Sequence, residues 1–178
     1  MPIPDRLRPR PPTAEEMAHY SDLCLRIEGG SANAETSEMI YRWNRRAARP
    51  YSHDEFRYYQ ASTSCESFVT TMLLGKPSVI PDLTYGELRD VVETVMTAAA
   101  SEAELNYFIE WLEAYLPDSN ITNLIYWPNH WFNDESLLHA ELNPDQILAY
   151  AMMRSGRLIP GAPENVPLPY PIPPRTGA

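Results

Sequence analysis

Apolar residues recur at three- and four-residue spacing along most of the chain, and a threonine-to-glutamate signature opens two of these runs. Thr13-Ala-Glu-Glu16 precedes Met17, Tyr20, Leu23, Cys24 and Ile27, and Thr84-Tyr-Gly-Glu87 precedes Leu88, Val91, Val92, Val95 and Met96. Both signatures fit a capping box, in which the threonine oxygen accepts an amide of the first turn and the glutamate reaches back to the threonine amide. The spacing predicts an amphipathic helix after each. A helix with an acidic start follows in each half. One covers 35–48 with Met39, Ile40 and Trp43 inward, the other 101–116 with Leu105, Phe108, Ile109 and Leu112 inward; Pro50 and Pro117 close them. No Asn-Gly or Asp-Gly joins alternating apolar runs, so strands are not predicted.

The halves continue alike. Residues 55–60 read EFRYYQ and 123–128 read NLIYWP, each an aromatic pair on a short turn. Ser64 then opens the run 64–72 as Asn143 opens 143–151, and Pro144 sits at the first helical position, where its missing amide costs nothing. Four matching steps in one order point to an internal duplication with a period of about seventy residues. Proline marks the edges. Segment 2–12 is Pro/Arg-rich and 160–174 reads PGAPENVPLPYPIPP, so both are expected to be extended rather than helical.

Composition narrows the class. Of 178 residues, 44% are hydrophobic and 21% charged, enough apolar content for a packed core. There is no run long enough to span a membrane and no signal-peptide pattern, which with two unpaired-looking cysteines, Cys24 and Cys65, predicts a cytoplasmic protein. The net charge of −10 is uneven: residues 1–81 hold ten acids and ten bases, whereas 82–160 hold thirteen acids against Arg89, Arg154 and Arg157. Direct nucleic-acid binding asks for the opposite sign, so the acidic half suits a basic protein partner.

The order of signals resembles the immunity proteins of DNase-type colicins and pyocins. The residues that carry the resemblance are TYGEL at 84–88, NLIYWP at 123–128 and NPDQIL at 143–148, within 80–157; TAEEM at 13–17, EFRYYQ at 55–60 and SCESFV at 64–69 carry it more faintly. Asn123 stands where that family usually has Asp and Trp127 where it has a second Tyr, and the stretches 117–122 and 129–142 are longer here. The resemblance implies an all-α chain of two tandem distorted four-helix bundles, each with a very short third helix. Their expected limits are 13–77, the more degenerate copy, and 80–157, flanked by a Pro/Arg-rich arm at 1–12 and a Pro-rich tail at 158–178. It also implies no catalysis, no cofactor and no metal. Such proteins bind a basic toxin nuclease domain beside its active site and exclude its substrate by bulk and negative charge.

Carried onto this sequence, the implied partner-binding residues are Tyr126, Trp127, Asn123, Glu110, Glu104, Glu113 and Asp118. Adjacent side chains on a one-turn helix diverge by ~100°, so one ring of Tyr126 and Trp127 is expected to pack while the other is presented. A presented Tyr or Trp offers wide contact at small entropic cost. The glutamates of 101–116 fall mostly off the apolar stripe, where charge sets association rate and partner choice. The other half departs from this: its second helix carries Arg42, Arg45, Arg46 and Arg49, a short basic face pointing to an acidic neighbour or to solvent.

Two other classes compete. An acidic DNA mimic or regulator would bind a different basic protein. An enzyme would need the loop holding His130, Asp134 and His139, which lacks the rigid spacing of a preformed metal site. No glycine-rich phosphate loop or nucleophile elbow is present.

Overall fold

The computed structural model describes residues 3–78 and 80–174. Among these residues all regular structure is helical. The α-helices are α1 (Ala14–Glu28), α2 (Ala34–Asn44), α3 (His53–Tyr58), α4 (Cys65–Leu74), α5 (Tyr85–Met96), α6 (Glu102–Tyr115), α7 (Ile121–Tyr126), α8 (Pro128–Phe132) and α9 (Pro144–Ser155), with 3-10 turns at Asp5–Leu7, Tyr59–Ala61 and Glu135–Leu137. No helix among them is long and apolar enough to cross a membrane. The chain forms two compact units. One comprises 9–77 with 101–107; the other comprises 3–8, the described part of 78–100, and 108–174.

In the first unit α1 begins where its capping box requires: the Glu16 amide donates to Thr13 Oγ1 at 3.1 Å and the Thr13 amide to Glu16 Oε2 at 2.8 Å. Asn33 Oδ1 and Ser64 Oγ cap α2 and α4 by accepting the Thr36 and Ser67 amides, without the return bond. Helix α1 lies against α2, α3 and α4. The seam buries Leu23, Cys24 and Ile27 with Met39, Val69, Met72 and Leu73 around an aromatic centre. Trp43, fully buried, meets Phe56 edge-on at 4.9 Å and stacks on Phe68 at 5.7 Å. Edge-to-face and offset rings at such separations gain beyond simple burial. The α1–α2 turn needs Gly30, because a Cβ there would sit 2.6 Å from Thr36 Oγ1.

Helix α2 stops four residues short of the expected end at 48. Asn44 explains it: its Nδ2 donates to the Tyr51 carbonyl at 3.0 Å and its Oδ1 accepts the Tyr51 amide at 2.8 Å, folding the chain back before Pro50.

In the second unit α5 opens on the Thr84–Glu87 box and α9 on a box of Asn143 with Gln146. Helix α9 packs on α5 and α7. Leu88, Val91, Val92 and Val95 of α5, and Ile147, Leu148, Tyr150 and Ala151 of α9, are buried. The Pro/Arg-rich start is not wholly extended. Asp5–Leu7 makes a 3-10 turn, Ile3 and Leu7 are buried, and Arg6 grips Glu87 (2.7 and 2.6 Å) and Asp82 (3.0 Å). The tail from 158 to 174 has no helix, as its prolines require. It is nonetheless fastened: the Tyr150 hydroxyl donates to the Tyr170 carbonyl at 2.6 Å and accepts its amide at 2.9 Å, and Gln146 Nε2 donates to the Pro167 carbonyl.

The stretch 129–142, expected as a long loop, instead holds α8 and the Glu135–Leu137 turn. Trp127 precedes Pro128, and a residue before proline is driven from helical geometry. At φ −138°, ψ 61° it breaks the helix. Pro128 then starts a new turn, since it brings a ready-set φ and lacks only an amide that a first turn leaves unpaired.

Candidate partner-binding surface

Helix α6 ends at Tyr115 and the chain turns through 116–120 into α7. Two residues of that turn, Asp118 (φ 60°) and Asn120 (φ 51°), adopt left-handed backbone, which short Asp and Asn side chains tolerate better than most. Between them Ser119 is fully buried, and its carbonyl accepts the Trp131 indole N–H at 2.8 Å. The turn is therefore pinned from below by a buried side chain of α8.

Glu113, on the last turns of α6, accepts from both the amide and the hydroxyl of Thr122, at 3.0 and 2.8 Å. Its carboxylate thus supplies the cap that Asn120 does not make, and its negative charge suits the amide-rich start of α7. This bond joins α6 to α7. Glu110 lies one turn before Glu113 and faces solvent; Asp118 is exposed in the turn. Neither the Glu110 nor the Asp118 side chain has a hydrogen bond or ion pair among the described residues.

Tyr126 and Trp127 close α7. Both are exposed, at 41% and 51%, while Trp131 and Phe132 are buried. The expectation that one ring of the pair packs and the other is presented is replaced by a shared arrangement. The Tyr126 hydroxyl reaches the Val95 carbonyl only at 3.5 Å, the outer limit of a hydrogen bond, and partial burial raises its phenol pKa. Trp127 lies parallel to the His130 ring at 6.1 Å. Trp131, Phe132 and Tyr150 instead pack edge-on against one another in the core.

The remaining expected residues are placed differently. Asn123 is half-buried, and its carbonyl accepts the Trp127 amide at 2.8 Å, so its backbone positions the aromatic pair. Glu104 belongs with 9–77 in the first unit, where it accepts from the Ser101 amide and hydroxyl at 3.1 and 2.7 Å and caps α6. The structure thus brings Glu110, Glu113, Asp118, Asn123, Tyr126 and Trp127 into one unit and leaves Glu104 in the other. Sequence reading missed Trp131 and Thr122 as supports. A threonine at the second position of a short helix, nine residues after a glutamate, was the available signal for one; nothing local announced the other.

Two of the three metal candidates have neighbours of their own. Asp134 accepts from the Ser136 amide and hydroxyl, bonds that hold its carboxyl below the usual range, and His130 lies on Trp127. Among the described residues no three His, Cys, Asp or Glu side chains come together in metal-binding geometry. Among the described residues the molecule is all-helical, and its second unit exposes Tyr126, Trp127, Glu110 and Asp118. No protein-family model, curated protein or solved structure matches this chain.

Proposed function

We propose that this chain is an immunity-like inhibitor that binds the basic nuclease domain of a bacteriocin-type toxin through Tyr126, Trp127 and the acids around them. One observation carries the reading: two adjacent large aromatics stand 41% and 51% exposed on a turn whose backbone is pinned from beneath. Ring surface left in water is costly at ~25 cal/mol per Å², and a pinned turn loses little entropy when a partner covers it. Glu110 and Asp118, free of bases, add negative charge that draws a positive partner and repels a nucleic-acid substrate. Asn123 orients the pair, and Glu113 braces α6 against α7.

In this reading residues 13–77 and 80–157 are tandem copies of a distorted four-helix bundle with a very short third helix. The first copy is degenerate and supportive, and Pro-rich arms flank the pair. Inhibition is by occupation of the nuclease surface, without chemistry on either side, and two free cysteines suit a reducing cytoplasm. The unpaired acids also favour a second reading, an acidic mimic of DNA that binds another basic protein. Partner identity separates the two.

The test is calorimetric titration of the full chain with a basic toxin nuclease domain, sought first in the reading frame that neighbours its own. Tyr126→Ala is expected to weaken binding by about 30-fold, corresponding to ~2 kcal/mol at an interfacial anchor. Undiminished affinity in Tyr126→Ala and Trp127→Ala together would remove the aromatic surface from the proposal. Capture of a basic host DNA-binding protein in place of a nuclease would favour the mimic.

A further inference from the structure

The first unit holds a recess of about 340 Å³ between α1 and the end of α2, lined by His19, Tyr20, Leu23, Arg42, Arg45 and Arg46. Its chemistry is one-sided. Leu23 is buried and forms apolar wall; Tyr20 is half-buried, held edge-on between His19 (5.0 Å) and Trp43 (5.8 Å). Arg46 is fixed, donating to the Leu73 carbonyl at 2.9 Å with Glu16 4.0 Å away. Arg42 and Arg45 are exposed, and their guanidiniums have no hydrogen bond or ion pair among the described residues. No carboxylate lines the recess. The acids flanking it on the same helices are already engaged in part: Glu16 pairs with Arg10 and Asp22 with Arg26.

Three guanidiniums at i, i+3 and i+4 stand on one face and repel one another, each like pair costing a few tenths of a kcal/mol. The helix C-terminus accounts for a cation in the last turn of α2. It does not account for His19 facing the same recess from another helix, nor for two arginines, Arg42 and Arg45, that have no ion pair among the described residues. Guanidiniums match the bidentate geometry of phosphate oxygens, and 340 Å³ falls at the small end of the ~300–1,000 Å³ of ligand pockets.

We propose that this recess binds a small molecule carrying a diphosphate group, its oxygens held by Arg42, Arg45 and Arg46 and its body beside Tyr20 and Leu23. The site lies in the first unit and is independent of the aromatic surface of the second. Isothermal titration of the full chain at fixed ionic strength, with inorganic pyrophosphate and with ADP as probes, tests it. Saturable 1:1 binding is expected for both. Equal affinities would mean that the diphosphate alone is recognised, and tighter ADP binding, diminished in Tyr20→Leu, that the sugar and base are seated too. Arg42→Ala/Arg45→Ala is expected to weaken both probes by at least ~10-fold, the loss of two charge-assisted contacts. Both positions are exposed, so circular dichroism should be unchanged. The control Arg26→Ala/Arg57→Ala removes the same charge from the same unit and should leave binding intact. Absence of saturation with either probe, or an equal loss in the control, would overturn the proposal.

Discussion

At Trp131 the indole N–H donates to the Ser119 carbonyl inside a buried site, and the Arg154 guanidinium lies 4.5 Å over the ring. Trp131→Phe preserves most of the packing but leaves that carbonyl without its donor, a deficit of about 1–3 kcal/mol for a buried acceptor. A lower urea midpoint by circular dichroism is the expected readout, with Tyr126 and Trp127 still present but less firmly held. The two thiols offer a second residue-scale measurement. Cys24 is fully buried and its thiol is pushed up to about 12, first by burial and then by neighbouring Cys65, which is only half-buried. Since the thiolate is the reactive form, a disulfide reagent at pH 8 should modify Cys65 first and reach Cys24 only as the unit opens. Equal labelling rates in the native protein would contradict this burial.

Elements whose instructions are local were the legible ones. Capping boxes at Thr13 and Thr84 and the N-cap Asn143 before Pro144 announced three helices, because the same few side chains that mark the start also satisfy its amides. Boundaries set by distant partners were not. The end of α2 depends on Asn44 reaching Tyr51, and the footing of the N-terminal arm depends on Arg6 meeting residues 76 and 81 positions away. For the surface, the aromatic pair could be picked from sequence, but not the exposure of both its rings, nor the roles of Glu113 and Glu104 as caps, which require knowing what lies opposite each carboxylate. The Arg6 contact has a pH signature. Glu87 is held at about 2 instead of 4.5, first by the Arg6 guanidinium and then by the Thr84 amide. Its folded pKa is depressed, so its stabilisation is complete above about 4.5 and is lost as pH falls toward about 2. Glu87→Gln should flatten the acid side of the melting-temperature profile in that window. An unchanged profile would mean that other carboxylates govern it.

Whole-molecule behaviour depends on pieces that composition assigns to mere linkers. Ile3 and Leu7 are buried in the second unit, so removal of residues 1–8 should lower its urea midpoint, each lost side chain being worth about 1.5–3 kcal/mol. The truncation leaves the aromatic pair and Glu110 untouched, so if the proposed surface is right, affinity measured well below the transition should hold while stability falls.

Charge acts at the same scale. Of the acids in 82–160, Asp82 and Glu87 are drawn to Arg6, and Glu93 and Asp145 to Arg89. Those pairs contribute little to an external field, because each cation cancels its partner at close range. Glu110 and Asp118 are exposed on the same unit as Tyr126 and have no such partner, so in the proposed reading their charge is what a positive enzyme first feels. Steering of this kind governs the rate of encounter more than the lifetime of the complex. The expected result with a basic nuclease is an association rate that falls by at least ~10-fold between 50 mM and 500 mM salt while dissociation changes little. Glu110→Gln with Asp118→Asn should reduce both the rate at low salt and the steepness of its decline; Asn tolerates the left-handed turn, so the backbone at 118 is preserved. Stopped-flow measurement of the four conditions separates the cases. A steep salt response that survives the double substitution would place the steering charge elsewhere on the second unit.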